Sequence, residues 1–527
     1  MVEYKARRKV AEVEDVRSLA LNSEDMGLLW SVLHFLGLIC IIACGHARDF
    51  ARKLHDVVDP TRRRRLAPGY APLMSDFDSF YTRRFYKRIE DTFNRPICSA
   101  PDAWMDVMVR RRAVAVDGAT PCYEPTGETQ RCLNLASYNY LGFANQDPYC
   151  TPRVLDVLRR YGASSCSPMR EAGHTEVVHR LERKVAGFLG KEDALVFGMG
   201  YATNSTVLPA LVGKGCLVLS DAFNHTSIVN GVRGSGASVR VFRHNDVDHL
   251  ERQVRFAIAE GQPRTHRPWR KILIIVEGIY SMEGDTAPLA EIIAVKEKYK
   301  CYLFLDEAHS IGAMGATGRG CAEHEGVDAG KIDIMMGTFT KSFGSCGGYI
   351  AASRGVIAHL RAASAGSLQA TAMSPPAAEQ ALSALQLIMG EDGSTRGVEK
   401  IARLHAASNW MRLHLVDYGL AVEGDWDSPV IPVMLVNTSK IAAFSRLMLE
   451  RRVASVVVGF PATALLKGRA RLCISAGHNL DDMRYALRAI KEVADILVLR
   501  YHRHCVPEIP QAIRDMVPEW ERVLAKE

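Results

Sequence analysis

From about residue 150 to 390, short apolar runs alternate with segments whose apolar positions recur at helical spacing. Lys271-Ile-Leu-Ile-Ile-Val-Glu277 and Cys301-Tyr-Leu-Phe-Leu-Asp306 are apolar stretches of strand length. Residues 288–300 between them follow a helical period, and Ile332-Asp-Ile-Met-Met336 is a further short strand. Strand, helix, strand, loop, strand predicts a parallel α/β sheet, in which ligands bind beyond the carboxyl ends of the strands. After Gly390-Glu-Asp-Gly393 the pattern changes. A helix is expected over 397–418, a strand over 429–436, then a second helix and a strand holding Arg471, which suits a smaller α+β domain. Residues 113–142 read as β-like runs with turns at Asp117-Gly118 and Thr126-Gly127.

Nearer the amino terminus, Met26 to Gly45 is a run of twenty residues without Asp, Glu, Lys or Arg, about the length that spans a bilayer. It is long, lies well inside the chain and has no clear small-residue cleavage site after it, which excludes a signal peptide by pattern. Seven basic residues follow it within twenty positions, Arg62 to Arg65 among them, and five precede it, which places the later side in the cytosol. Residues 76–95 space Phe77, Phe80, Tyr81, Phe85, Ile89 and Phe93 as one aromatic helix face. The expected divisions are a tail (1–25), a transmembrane helix (26–45), a basic linker and amphipathic segment (46–100) that presses towards anionic membrane lipid, a β-rich N-terminal segment (101–149), a large α/β domain (150–393) and a small C-terminal domain (394–527).

A chain of 527 residues with 48% hydrophobic and 24% charged residues is globular and large enough for more than one domain. The net charge of +7 owes much to Arg62–Arg65, and no basic pattern interleaved with aromatics accompanies it, so nucleic acid is not an expected partner. Thirteen cysteines without a Cys-x-x-Cys pair fit reduced thiols, not a disulfide framework or a zinc site.

The chemistry concentrates at strand ends. Lys341, in Gly337-Thr-Phe-Thr-Lys-Ser342, follows a buried strand, where a desolvated amine loses its proton easily and can form a Schiff base. Asp306 closes another strand, with His309 three residues on. An acid that pairs with a pyridine nitrogen and a lysine that forms an imine are what pyridoxal phosphate needs as an electron sink. Asp-x-x-His is equally a strand-end cap or half of a metal site, but no further closely spaced ligands favour a metal. His225, in Asp221-Ala-Phe-Asn-His225, could lie flat on a cofactor ring, and Phe197-Gly-Met-Gly200-Tyr201 reads as a strand entering a glycine turn and a helix, a place for an anion.

In this order the motifs, together with Phe93-Asn-Arg-Pro-Ile-Cys-Ser-Ala-Pro101 and Leu135-Ala-Ser-Tyr-Asn-Tyr-Leu-Gly142, resemble the α-oxoamine synthases over residues 75–500. These are fold-type I enzymes that use pyridoxal phosphate to join an amino acid to an acyl-CoA. The match is strongest to the branch that condenses L-serine with palmitoyl-CoA. The resemblance implies Lys341 and His225 at the reacting centre, with Lys341 as Schiff-base lysine and proton acceptor and His225 stacked on the ring. It implies Asp306 at the pyridinium nitrogen, His309 at the ring hydroxyl, and Gly200, Tyr201 and Thr338 at the phosphate. Ser281 would lie beside the cofactor, and Arg471 would hold the amino-acid carboxylate. It further implies L-serine and long-chain acyl-CoA as substrates, an endoplasmic reticulum membrane, and a heterodimer with a related subunit that lacks the lysine. Other family members (glycine C-acetyltransferase, 5-aminolevulinate synthase) and a non-catalytic membrane scaffold remain alternatives. Gly366-Ser-Leu-Gln-Ala-Thr371 and Ser345-Cys346 depart from the family pattern.

Overall fold

The structure, a computed structural model, describes residues 28–58, 80–86, 89–113, 122–460, 462–464, 467–501 and 509–526. Its strands are β1 (Trp104–Ala113), β2 (Cys122–Leu135), β3 (Asp193–Phe197), β4 (Cys216–Asp221), β5 (Ser238–Phe242), β6 (Lys271–Glu277), β7 (Tyr302–Asp306), β8 (Ile334–Thr338), β9 (Gly348–Ala352), β10 (Val430–Val436), β11 (Val453–Val458) and β12 (Gly468–Cys473). The larger sheet runs β3-β9-β8-β7-β6-β4-β5. All its neighbours are parallel except β9, which is antiparallel to both β3 and β8. The unbroken apolar runs of β6 and β7 follow from this. Helices cover both faces of a parallel sheet, so alternate residues have no water to face, and Leu273 to Val276 and Leu303 to Leu305 are all buried.

The second sheet runs β1-β2-β11-β12-β10. Its first two strands come from the segment before the large sheet, and β2 joins the C-terminal strands by parallel pairing with β11. The turn expected at Thr126-Gly127 is a bulge inside β2, where the register against β1 shifts opposite Val109. Asp117-Gly118 lies outside the described residues.

Two expectations for the amino-terminal part need correction. The helix does not end with the apolar run at Gly45: α1 (Leu28–Val58) carries on through the charged residues Arg48, Asp49, Arg52 and Lys53. Among the described residues no helix is long and apolar enough to cross a membrane. The helix is also docked on the protein. Phe80 stacks on His46 at 4.3 Å, Arg84 pairs with Asp49, Leu38 is buried and Gly37 approaches the Asn437 side chain. Nor do the described residues between 80 and 95 follow one α-helical geometry. Thr82–Tyr86 is a wide helical turn and Glu90–Thr92 a tight one, while 76–79, 87 and 88 lie outside the described residues. The described aromatics are covered within the chain, since Phe80 is buried against α1, Tyr81 donates to the Phe460 carbonyl, and Tyr86 stacks on Phe93. The tail 1–25, the run Arg62–Arg65 and Phe77 lie outside the described residues.

One glycine after Lys341 is required by backbone shape. Gly344 has φ +59°, and a Cβ there would lie 2.4 Å from the Phe143 carbonyl carbon. Backbone on both sides cannot yield as a side chain could. Gly344→Ala is expected to cost roughly 1–3 kcal/mol of stability, the usual penalty of overpacking. A variant that melts with the parent protein would contradict this packing.

Candidate functional site

The carboxyl ends of β4, β6, β7 and β8 meet two helices, α2 (Gly200–Leu211) and α3 (Thr226–Ser235). Asp306 ends β7 and is buried. Asn204, one turn into α2, donates to its Oδ2 at 2.7 Å, and the Ala308 amide donates to Oδ1 at 2.9 Å. Beside it in the sheet register stands Glu277, the last residue of β6. Burial, and then the neighbouring Asp306, push the Glu277 carboxyl well above the usual range, while the His225 amide donates to it.

Lys341 is half-buried in the loop after β8. Burial pushes its amine down to about 8, against the upward pull of Asp306 and Glu277 and with the added push of Arg471. Its Nζ lies 5.7 Å from the centre of the Tyr138 ring, and the Arg471 guanidinium lies 4.6 Å from the same ring. Tyr138 thus lies beside both cations. Arg471 is buried on β12. Its Nη1 donates to the Ser281 carbonyl at 3.4 Å, and its Nε is buried without a partner. A buried guanidinium with an unspent donor suits a carboxylate or phosphate.

His309 is buried, with Nδ1 2.8 Å from the Tyr140 hydroxyl. Burial, then Lys341 and Arg471, hold its imidazole well below the usual range, so it is neutral at pH 7. His225 is exposed to the cleft and caps α3, its Nδ1 accepting from the Ser227 amide at 3.2 Å. Burial is the main cause that lowers its pKa.

The amino terminus of α2 forms another wall. A Cβ on Gly200 would lie 2.8 Å from Thr338 Oγ1, so glycine is what lets helix and strand approach. Thr338 donates to the Gly347 carbonyl at 2.8 Å and lies 2.8 Å from Thr340 Oγ1. No side chain caps the helix at Met199. Helix N–H groups beside hydroxyls make a corner for an anion. Tyr201 is exposed there, its hydroxyl accepting from Asn230 and its ring 6.2 Å from His225. The departing stretch lies close by, with the Thr371 carbonyl 3.4 Å from where a Cβ on Gly198 would stand.

The structure therefore gathers Lys341, His309 and Arg471 around Tyr138 and Tyr140, sets Asp306 beside Glu277, which takes the His225 amide, and places Gly200, Thr338 and Tyr201 at one corner. Ser281 meets Arg471 through its carbonyl only. Asn204, Glu277, Tyr138 and Tyr140 were not assigned from sequence. Asn204 follows Gly200 by four residues and so shares its helix face, and the two tyrosines sit in the Asn-Tyr-Leu-Gly block. Nothing local marks Glu277, whose place is set by pairing across the sheet.

Comparison with known proteins agrees with this arrangement. Residues 130–490 match the family described as aminotransferase class I and II. Long chain base biosynthesis protein 2a of Oryza sativa subsp. japonica is 54% identical over 90% of this chain and 96% of its own. Serine palmitoyltransferase 2 of Dictyostelium discoideum is 50% identical over 92% and 97%. A solved structure of SPT with a PLP internal aldimine superposes with a TM-score of 0.70 at 26% identity, over 81% of this chain and all of the other. With half of its residues shared over nine-tenths of its length, the chain belongs to the aminotransferase class I and II family and, within it, to the serine palmitoyltransferase and long chain base biosynthesis proteins.

Proposed function

We propose that this chain is the catalytic subunit of a serine palmitoyltransferase, joining L-serine to palmitoyl-CoA with loss of carbon dioxide and CoA to give 3-oxosphinganine, the first step of sphingolipid synthesis. The observation that carries the reading is Lys341, an amine lowered to about 8 at the head of a parallel sheet, with buried Asp306 and buried Arg471 on the same cleft. A scaffold has no use for such a lysine.

The residues fit pyridoxal phosphate. Asp306 is a buried acid held by two donors, the Gly200–Thr338 corner lies at a helix terminus that no side chain caps, and Lys341 can supply a neutral amine. When bound, the cofactor supplies an electron sink for the bonds to the serine Cα. Asp306 would hold its ring nitrogen, His309 its ring hydroxyl, and Gly200, Tyr201 and Thr338 its phosphate. His225 would cover the ring face beside Ser281. Arg471 would bind the serine carboxylate near Lys341, since both cations lie against the Tyr138 ring. Lys341 takes the Cα proton. The new carbon–carbon bond forms between Cα and the thioester carbonyl carbon as the C–S bond breaks, and CoA leaves as a thiolate that takes a proton. The Cα–carboxylate bond then breaks, releasing carbon dioxide, and Cα takes a proton in its place.

The amine sets a pH dependence. Below about 8 Lys341 is an ammonium without a lone pair, and above it the neutral amine prevails. Capture of added pyridoxal phosphate by the cofactor-free protein should therefore quicken as pH rises from one unit below that value to one unit above. A flat profile across the window would contradict the assignment.

The reading includes a membrane and a partner. On α1, Val32, Phe35, Leu36, Ile39, Phe50 and Leu54 are exposed and share one face at helical spacing, while the opposite side meets Phe80 and Asn437. This face supports residence at the endoplasmic reticulum membrane, where acyl donor and product both partition, with the catalytic domain in the cytosol. In sealed microsomes, added protease should digest the Lys341 domain, and its protection would reverse the orientation. The partner is a related subunit without the Schiff-base lysine. Met199, Tyr201 and Phe223 are exposed apolar residues at the rim of the cleft, a surface suited to a cover. The chain expressed alone should be inactive and recover turnover with that homologue, and full activity from a purified homodimer would remove the need for it.

A further inference from the structure

His244 lies just after β5, outside the cofactor contacts described above, yet it joins two loops that frame them. Its Nδ1 is 2.9 Å from Asp221 Oδ1, and its Nε2 is 2.8 Å from Asp285 Oδ2. Two carboxylates that each take a ring N–H require both nitrogens protonated, because a neutral imidazole has only one N–H. The rings of Phe223 and Tyr280, each 4.4 Å away, enclose it. Burial alone would push the imidazole down, but the bonds to Asp221 and Asp285 outweigh it and lift it to about 10.

Each carboxylate belongs to a different loop. Asp221 ends β4 and also accepts from the Phe223 amide at 2.8 Å and the Asn245 amide at 3.0 Å, which shapes the loop leading to His225. Asp285 closes the turn that starts at Tyr280, whose amide donates to the Asp285 carbonyl at 3.0 Å. That turn carries Ser281 and Met282, which receive the Arg471 guanidinium at 3.4 and 3.7 Å. One cation therefore spans the loop of the ring-facing histidine and the loop that seats the carboxylate-binding arginine.

We propose that His244 is a positioning residue, an imidazolium tether that sets the His225 loop and the Ser281–Arg471 contact at a fixed separation, so that the cofactor face and the serine carboxylate subsite keep one relative orientation. The inference rests on the functional reading above. It makes the two arms separable: loss of Asp285 frees only the Ser281 turn, whereas loss of His244 frees both loops.

The test compares wild type, His244→Gln and Asp285→Ala in the full chain with its partner subunit. Glutamine can donate to one aspartate but turns its amide oxygen on the other. His244→Gln should weaken the visible circular dichroism of the bound cofactor and raise the serine KM roughly tenfold or more, the scale of a small misplacement of reacting groups. Asp285→Ala should raise the serine KM while leaving the cofactor band near that of wild type. In the cofactor-free proteins, hydrogen exchange should quicken in residues 221–225 and 280–285 for the first variant and in 280–285 alone for the second. Folded variants with wild-type dichroism, serine KM and exchange would overturn the tether. Should His244→Gln not fold, Asp285→Ala decides by itself: unchanged KM and unchanged exchange overturn it. A wild-type protein without serine-dependent turnover would instead sink the functional reading, which separates the two failures.

Discussion

Lys341→Ala should yield a folded protein with no measurable turnover. On the proposed reading, the substitution removes both the amine that would capture the cofactor aldehyde and the base that would take the Cα proton. General-base catalysis alone is worth about 10²–10⁴-fold, and loss of the covalent anchor adds to it, so the fall should be roughly 10⁴-fold or more. Folding should survive. The lysine is half-buried in a loop after β8, and its lowered amine pKa shows that burial already costs the charged form. Circular dichroism in the far ultraviolet should match wild type. Turnover within tenfold of wild type would remove Lys341 from the chemistry.

Arg471→Ala should raise the serine KM far more than it disturbs the cofactor. A hydrogen bond to a charged group is worth roughly 1.5–3 kcal/mol, which corresponds to about ten- to a hundredfold in affinity. Asp306, His309 and Gly200, proposed to hold the cofactor, do not hydrogen-bond to Arg471, so the absorbance of the bound cofactor should persist. The empty volume beside Tyr138 is the main structural risk, because the guanidinium packs on that ring. Arg471→Lys controls for it: a point charge that cannot reproduce the fork should recover binding only in part. A serine KM unchanged in the alanine variant would place the carboxylate elsewhere.

Much of the site was legible because its residues lie at the ends of strongly patterned strands. Asp306 and Lys341 each follow an apolar run, and a parallel sheet has to bring such ends to one edge. What sequence could not reveal lies across the sheet. Glu277 matters because β6 pairs with β7 in a register that sets it beside Asp306, and no local pattern encodes register. Asn204 reaches Asp306 from a helix over a hundred residues away. The amino-terminal part misled for a different reason. A run without charges was read as ending where its apolar residues end, whereas backbone hydrogen bonds carry the helix α1 on through Arg48 and Asp49. Its glycines serve close approach, with Gly45 against Phe80. Likewise, the aromatic spacing of residues 76–95 marked burial correctly for Phe80 but not the helix type, since packing on α1 and Phe460 overrides the local period.

The most direct test of the central claim is serine-dependent release of CoA from palmitoyl-CoA by the purified chain with its partner and pyridoxal phosphate. Release should saturate with L-serine, be matched by carbon dioxide and 3-oxosphinganine, and vanish in Lys341→Ala. Release that ignores serine, or that Lys341→Ala retains, would contradict the claim.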